Sequence, residues 1–155
     1  MTLAPHDMIC FALYSAAHAM QQAYRPYLDE LGLTYPQYLV MSALWSGAAE
    51  GWDRGAEQDP EHAPSLGDIA REVQLESSTL TPLVKRLEAA GLVTRRRDAR
   101  DERQVRIHLT AAGREMRARA AHIPACIAEK AGMEIGELVR LRDEVNTLRD
   151  RMKAG

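Results

Sequence analysis

Two cysteines are the residues best placed to do covalent chemistry. Cys10 opens the stretch CFALYSAAHAMQQAYRPYL, with Tyr14 four residues and Tyr24 fourteen residues downstream, and Cys126 lies 116 residues further on in IPACIAEK. A thiolate is a nucleophile open to oxidation, and a nearby phenol can donate a hydrogen bond to its sulfur. The plain alternative is packing, because free cysteine is among the most often buried residue types and tyrosine is a common helix-face aromatic. Asp7 is read as the N-cap of the helix, which sets Cys10 in the first turn, where unpaired backbone N–H groups and the helix dipole favour a thiolate and Asp7 opposes it modestly. Tyr14 then lies one turn away, but Tyr24 lies roughly 21 Å along a straight helix. One helix cannot bring Tyr24 to Cys10, so a contact between them requires a second, oppositely running copy and a thiol pocket at a dimer interface.

The chain of 155 residues, 46% hydrophobic and 27% charged, suits one soluble globular domain. The start MTLAPHD has no basic region ahead of an apolar run, so no secretory signal is expected. Leu31 to Ala49 is uncharged over 19 residues but is interrupted by Pro36, Gln37, Ser42, Ser46 and Gly47, which argues against a bilayer span. Two distant cysteines without a signal fit a reducing cytoplasm.

The formal net charge of −2 hides a strong local asymmetry. From Lys85 to Arg106 eight basic residues face four acids, a net of +4, whereas from Glu50 to Glu61 five acids face Arg54, a net of −4. A basic patch confined to one region is the footprint of a phosphate-contacting surface, and its bland counterpart is a solvated basic face.

Helical periodicity dominates the elements that must carry these residues. A first helix is expected to about Tyr24, with a kink or a restart at Pro26 and a stop at Gly32, and a second from Thr34 and Pro36 to about Trp45. Gly47 to Pro64, rich in Gly, Pro and acids, reads as an exposed mobile loop. Ser65 caps a short helix, a turn follows near Gln74 to Glu76, and Ser77 to Ala90 forms another helix closed by Gly91. LVTRRR and QVRIHL alternate as two strands around the charged DARDER and read as a hairpin with a basic tip. Thr110 caps a further helix that Pro124 should kink. Glu134 opens a last one, whose apolar positions Ile135, Leu138, Leu141, Val145, Leu148 and Met152 form a stripe that seeks a partner.

Two short helices followed by a basic hairpin is the plan of a winged helix-turn-helix, within a chain that is otherwise mainly α. The second helix of such a pair fits the major groove and reads base edges. Ser77, Ser78, Thr79, Thr81, Pro82, Lys85 and Arg86 are its candidate DNA contacts. In the hairpin the candidates are Arg95, Arg96, Arg97, Asp101, Arg103 and Arg106, with arginines able to enter a narrow minor groove.

The run SSTLTPLVKRLEAAGLVTRRRDARDERQVRIHLTAAG resembles the recognition helix and wing of MarR-type transcriptional regulators, including the Asp101-x-Arg103 wing tip and the Leu109-Thr110-x-x-Gly113 exit. The N-terminal stretch from Cys10 through TYPQYLVMSALW is similar to the OhrR branch, the organic-hydroperoxide sensors, of the two-cysteine subclass. The resemblance covers nearly the whole chain. It implies a cytoplasmic, homodimeric repressor that binds an inverted-repeat operator in double-stranded DNA and releases it when an organic hydroperoxide oxidises Cys10, derepressing a peroxide-resistance gene. It further implies that Tyr24 and Tyr35, with Tyr14, contact the thiol, and that Cys126 resolves the Cys10 sulfenate of the other subunit as a disulfide. Residues 1–33 and 111–155 would form the helical dimerisation region and 34–110 the DNA-binding lobe, with 47–64 an insertion longer and more acidic than the connection usual in the family.

The residues leave alternatives open. Phe11, Leu13 and Met41 would give the thiol apolar walls that favour an organic peroxide. Cys126 is otherwise an inert buried thiol, and His122, one turn before it, is either a partner in its ionisation or a surface histidine. His122 and Cys126 have metal-ligand spacing without a third ligand, so neither a metal nor a cofactor is expected. A repressor answering to a non-covalently bound aromatic or phenolic ligand, with both cysteines incidental, is the second reading. A thiol peroxidase is the third, but the winged-helix signal has no use in an enzyme.

Overall fold

The computed structural model describes residues 3–50 and 63–154. A 3-10 turn at Pro5–Asp7 precedes α1 (Ile9–Leu31), α2 (Tyr35–Glu50), α3 (Leu66–Val73), α4 (Ser77–Ala89), β1 (Val93–Arg97), β2 (Val105–Leu109), α5 (Ala111–Ala120), α6 (Ile123–Ala131) and α7 (Ile135–Ala154). The mainly helical fold with one two-stranded antiparallel hairpin is the fold class expected from the sequence. The chain divides into two compact units, Met1–Tyr24 with Ala121–Gly155, and Arg25–Ala120. These boundaries differ from the expected ones at 33/34 and 110/111, because the end of α1 and the whole of α5 belong to the winged-helix unit.

In the Arg25–Ala120 unit, α1 ends in a Schellman-type closure: Gly32, at φ +68°, donates to the Asp29 carbonyl and Leu33 donates to that of Leu28. Two residues later Thr34 and Gln37 cap α2 reciprocally. The Thr34 N–H donates to Gln37 Oε1 at 2.9 Å, and the Gln37 N–H donates to Thr34 Oγ1. This explains why Gln37 is buried in an otherwise apolar helix. α2 hides Tyr38, Val40, Met41, Ala43, Leu44 and Trp45 and packs against α3, α4 and α5, so it is the centre of the core. The remaining core comes from Ile69 of α3, Leu80, Val84 and Leu87 of α4, Val93 and Ile107 of the hairpin, and Met116 of α5.

A second reciprocal cap starts α3, where the Ser65 hydroxyl accepts from the Asp68 N–H and Asp68 accepts from the Ser65 N–H at 2.9 Å. Gln74 closes α3 in the left-handed region at φ 53°, and the turn delivers the chain to α4. In the hairpin Val93 faces Leu109 and Arg97 faces Val105, an antiparallel register that alternates core and solvent residues. The hairpin is tied back to the start of α3 by a bridge between Ser65 and Arg106 and by the Ile107 N–H, which donates to the Pro64 carbonyl.

The exit from the hairpin is the tightest joint of this unit. Thr110 donates its hydroxyl hydrogen to the Gly91 carbonyl at 2.6 Å and accepts from the Gly113 N–H at 3.0 Å, capping α5. The buried Trp45 indole donates to the Gly113 carbonyl at 2.9 Å. A Cβ at Gly113 would stand 2.1 Å from the Leu92 carbonyl oxygen, so only glycine fits. The Leu-Thr-x-x-Gly run is thus a packing requirement that joins α2, the wing and α5.

The other unit holds most of α1 with α6 and α7. Ile123 and Ile127 are buried, but every exposed large apolar side chain among the described residues lies in this unit, including Ile9, Phe11, Tyr14, Met20, Ile135, Leu141 and Met152.

Several expectations require correction. Asp7 is not the helix cap: it belongs to the 3-10 turn, and α1 begins two residues later. α1 runs unbroken through Pro26 to Leu31, because an exposed proline forfeits one ladder bond in a helix otherwise built of good helix formers. Residues 47–50, expected in a loop, continue α2; 51–62 lie outside the described residues; and Ala63 and Pro64 are buried beneath the hairpin rather than exposed. Pro124 separates two helices instead of bending one, since it occupies the first turn of α6, where its missing N–H costs least.

Candidate nucleic-acid interface and thiol

The inward seam of α4 is Leu80, Val84 and Leu87, so 100° per residue turns Ser78, Pro82, Lys85 and Arg86 outward, and all four are exposed. Ser77 and Thr79 are exposed beside them, while Thr81 is half-buried and donates its hydroxyl hydrogen to the Ser77 carbonyl at 2.8 Å. The row of short hydroxyls and terminal cations is therefore one continuous face.

The arginines of the hairpin divide into two groups. Arg95 is turned back onto α4, its N–H and Nε both donating to Glu88, at 3.0 and 2.7 Å. Arg106 donates Nε to Asp98 Oδ2 at 2.6 Å and a terminal nitrogen to the Ala63 carbonyl, with its side chain 22% exposed and that of Asp98 only 4%. Arg106 faces Arg96 directly across the strands, and Asp98 offsets that like-charge contact. Arg96, Arg97 and Arg103, by contrast, are exposed. Arg103 is 94% exposed at the wing tip, with Asp101 accepting from its N–H at 3.1 Å and lying 3.4 Å from its Nε.

Asp98 organises that tip. Its Oδ1 accepts from the Arg100 N–H at 2.7 Å and the Asp101 N–H at 3.2 Å, while Oδ2 holds Arg106. The Arg100 amide first, then the Arg106 guanidinium, hold its carboxyl below the usual range. Arg95 does the same to Glu88. Burial pushes Asp68 up, but the Ser65 N–H and hydroxyl and the nearby Arg71 and Arg106 outweigh it and leave it lowered. The sequence signalled basic residues without separating these internal clasps from the exposed tip. The clue was the position of Glu88 and Asp98, each seven or eight residues from its arginine across a turn.

Between the start of α3, α4 and β2 runs a polar groove of about 590 Å³ lined by Ser65, Asp68, Arg71, Ser77, Thr81 and Arg103. It joins the two sets of exposed residues into one surface within the Arg25–Ala120 unit.

The thiol residues are distributed over both units. Cys10 is exposed at the second residue of α1, with Ile9 and Phe11 exposed beside it and Tyr14, 71% exposed, one turn on. Cys126 is half-buried on α6, its N–H donating to the His122 carbonyl. Tyr24 is half-buried on α1. Tyr35 is half-buried at the start of α2 in the other unit, and burial, then Tyr38, push its phenol above the ordinary value. No three metal-ligating side chains cluster among the described residues, and no described helix is long and apolar enough to cross a membrane.

Comparison with known proteins agrees with the winged-helix plan. Residues 22–119 match the family described as "Transcriptional regulator SarA/Rot". The HTH-type transcriptional regulator TtmR of Methylorubrum extorquens is 42% identical over 148 residues, 96% of this chain and 69% of that protein. The organic hydroperoxide resistance transcriptional regulator of Bacillus subtilis is 35% identical over 143 residues, 92% of this chain and 87% of that protein. Among solved structures, AbfR of Staphylococcus epidermidis superposes with a TM-score of 0.73 at 31% identity, covering 97% of this chain and 94% of that one. Reduced AbfR bound to DNA gives 0.70 at 29% identity, over 95% and 93% of the two chains. The family and the two named relatives are transcriptional regulators. With its exposed α4 face and basic wing, this chain belongs to the SarA/Rot family of MarR-like winged-helix proteins and is a DNA-binding transcriptional regulator of that type.

Proposed function

We propose that the protein is a homodimeric, cytoplasmic repressor that senses organic hydroperoxides through Cys10 and releases an inverted-repeat operator when oxidised. The observation that carries this reading is the exposed Cys10 in the first turn of α1, flanked by the exposed apolar side chains of Ile9 and Phe11 and by Tyr14. Such a thiol is open to solvent, and the apolar side chains beside it favour an alkyl hydroperoxide over hydrogen peroxide. The 35% identity to a regulator of organic hydroperoxide resistance supports it.

The chemistry balances in two steps. The Cys10 thiolate attacks the outer oxygen of ROOH; the O–O bond breaks, sulfur is oxidised to sulfenate, and the alkoxide leaves and takes a proton as ROH. The Cys126 thiol of the other subunit then attacks the sulfenic sulfur, forming S–S and expelling water. AbfR has been solved reduced on DNA, overoxidised on DNA and with a disulfide formed. On that precedent the cross-link, rather than oxygen on sulfur, is the event that moves the reading heads. A disulfide needs Cα atoms within about 7 Å, so linking subunits drags the helices that carry them.

On DNA, the Ser77–Arg86 face lies in the major groove, Arg103 supported by Asp101 enters the minor groove, and Arg96 and Arg97 meet phosphates. Arg95 and Arg106 serve the interface by fixing the wing. The test is a non-reducing gel after cumene hydroperoxide treatment. Wild type should run as a covalent dimer, and Cys126→Ser should stay monomeric while still labelling as a sulfenic acid. Absence of any Cys10 oxidation removes the sensing role and leaves the regulator answering to a non-covalent aromatic ligand.

A further inference from the structure

The α4 face carries an oddity that DNA binding in general does not explain. Pro82 sits at the sixth position of a thirteen-residue helix, where its ring removes the N–H that would bond the Ser78 carbonyl. It is exposed and has no packing role in the core, which lies on the opposite side: Leu80 and Val84 are each two residues away, 200° around the helix. A residue unfavourable to the helix, at the most outward position, in the half of the helix that approaches base edges, is a local rule broken where function resides.

The neighbouring residues restrict what it can do. The side chains that discriminate bases by paired hydrogen bonds are arginine or lysine for guanine and asparagine or glutamine for adenine, and none occurs from Ser77 to Pro82. Ser77, Ser78 and Thr79 offer hydroxyls that donate or accept equally and so separate bases poorly, and Thr81 has spent its hydrogen on the Ser77 carbonyl. Beside the smaller methyls of Thr79 and Thr81, the rigid apolar ring of Pro82 is the most outward group in these two turns with a selective counterpart in the major groove. That counterpart is the C5-methyl of thymine, which no other base carries.

We propose that Pro82 is a specificity-determining residue of α4, its ring packing on the methyl group of one thymine in each half-site. The inference rests on α4 lying in the major groove and adds to it the base that is read. It is independent of the cysteines.

The full-length protein is used to enrich binding sequences from a randomised duplex pool, and each enriched thymine is then replaced by deoxyuridine, which deletes only the methyl. Binding is followed by fluorescence anisotropy at fixed salt. For wild type, one substitution per half-site should weaken binding about fourfold, the worth of one methyl-sized group withdrawn from water. Pro82→Ala, which restores a ladder donor and a good helix former, should bind thymine and deoxyuridine versions of that position equally. Pro82→Val should recover part of the difference. A Pro82→Ala protein that keeps the full methyl dependence, or a wild type indifferent to every thymine methyl, overturns the proposal while leaving DNA binding intact. A pool that yields no enriched sequence overturns both.

Discussion

Two arginines three residues apart show how little residue type alone decides. Arg103 and Arg106 are both wing arginines, yet one is 94% exposed at the tip beside Asp101 and the other closes the Asp98 clasp. Arg103→Ala should leave the thermal midpoint unchanged and weaken operator binding by about 1–3 kcal/mol, measured by titration at physiological salt. Arg106→Ala should instead lower the midpoint by several degrees, because it strands the Asp98 carboxylate, and should weaken DNA binding only through a loosened wing. Acid separates them further. The folded carboxyls of Asp98, Glu88 and Asp68 lie below their ordinary values, so the stability they supply is fully present above about pH 4 and is lost as pH falls through that range toward their folded values. Thermal melts from pH 6 to pH 3 should fall less steeply for Arg106→Ala than for wild type, whereas Arg103→Ala should follow the wild-type curve.

The elements were legible wherever local chemistry acts alone. Ser65 announces α3 because a hydroxyl three residues before Asp68 makes a reciprocal cap, and the β-branched alternation of the hairpin gives both strands their register face. Pro26 and Gly47 misled because each is compensated by surroundings that spacing does not reveal: one lies exposed in a long helix, and the other is buried in a helix apolar on nearly every side. The Asp98 clasp was hidden for the same reason, since its partners meet only once the wing has turned. Gly113 carries a sharp test at this scale. With its Cβ position 2.1 Å from the Leu92 carbonyl, Gly113→Ala must push α5 away from the wing and strain the Trp45 hydrogen bond. It should destabilise the protein by about 1–3 kcal/mol in urea titration, with a shift in Trp45 emission, and Gly136→Ala, in open space on α7, should cost nothing.

For the whole molecule the decisive asymmetry is between a winged-helix unit with a closed core and a helical unit that holds every exposed large apolar side chain among the described residues. Exposed apolar area of that kind marks an association surface, and on the proposed reading its occupant is a second copy, with half-site centres about one helical turn apart. Leu141→Glu combined with Val145→Glu should convert the dimer to monomer in sedimentation velocity and should abolish preference for a two-half-site operator. Unchanged sedimentation would move the dimer contact elsewhere.

Whether Cys10 oxidation governs DNA binding is tested most directly by operator release. Wild-type and Cys10→Ser proteins are titrated onto the same enriched operator, before and after stoichiometric cumene hydroperoxide, with dithiothreitol added last. The account predicts that peroxide releases wild type, that dithiothreitol restores binding, and that Cys10→Ser stays bound throughout. Release of Cys10→Ser by peroxide, or retention of fully oxidised wild type with unchanged affinity, would contradict it.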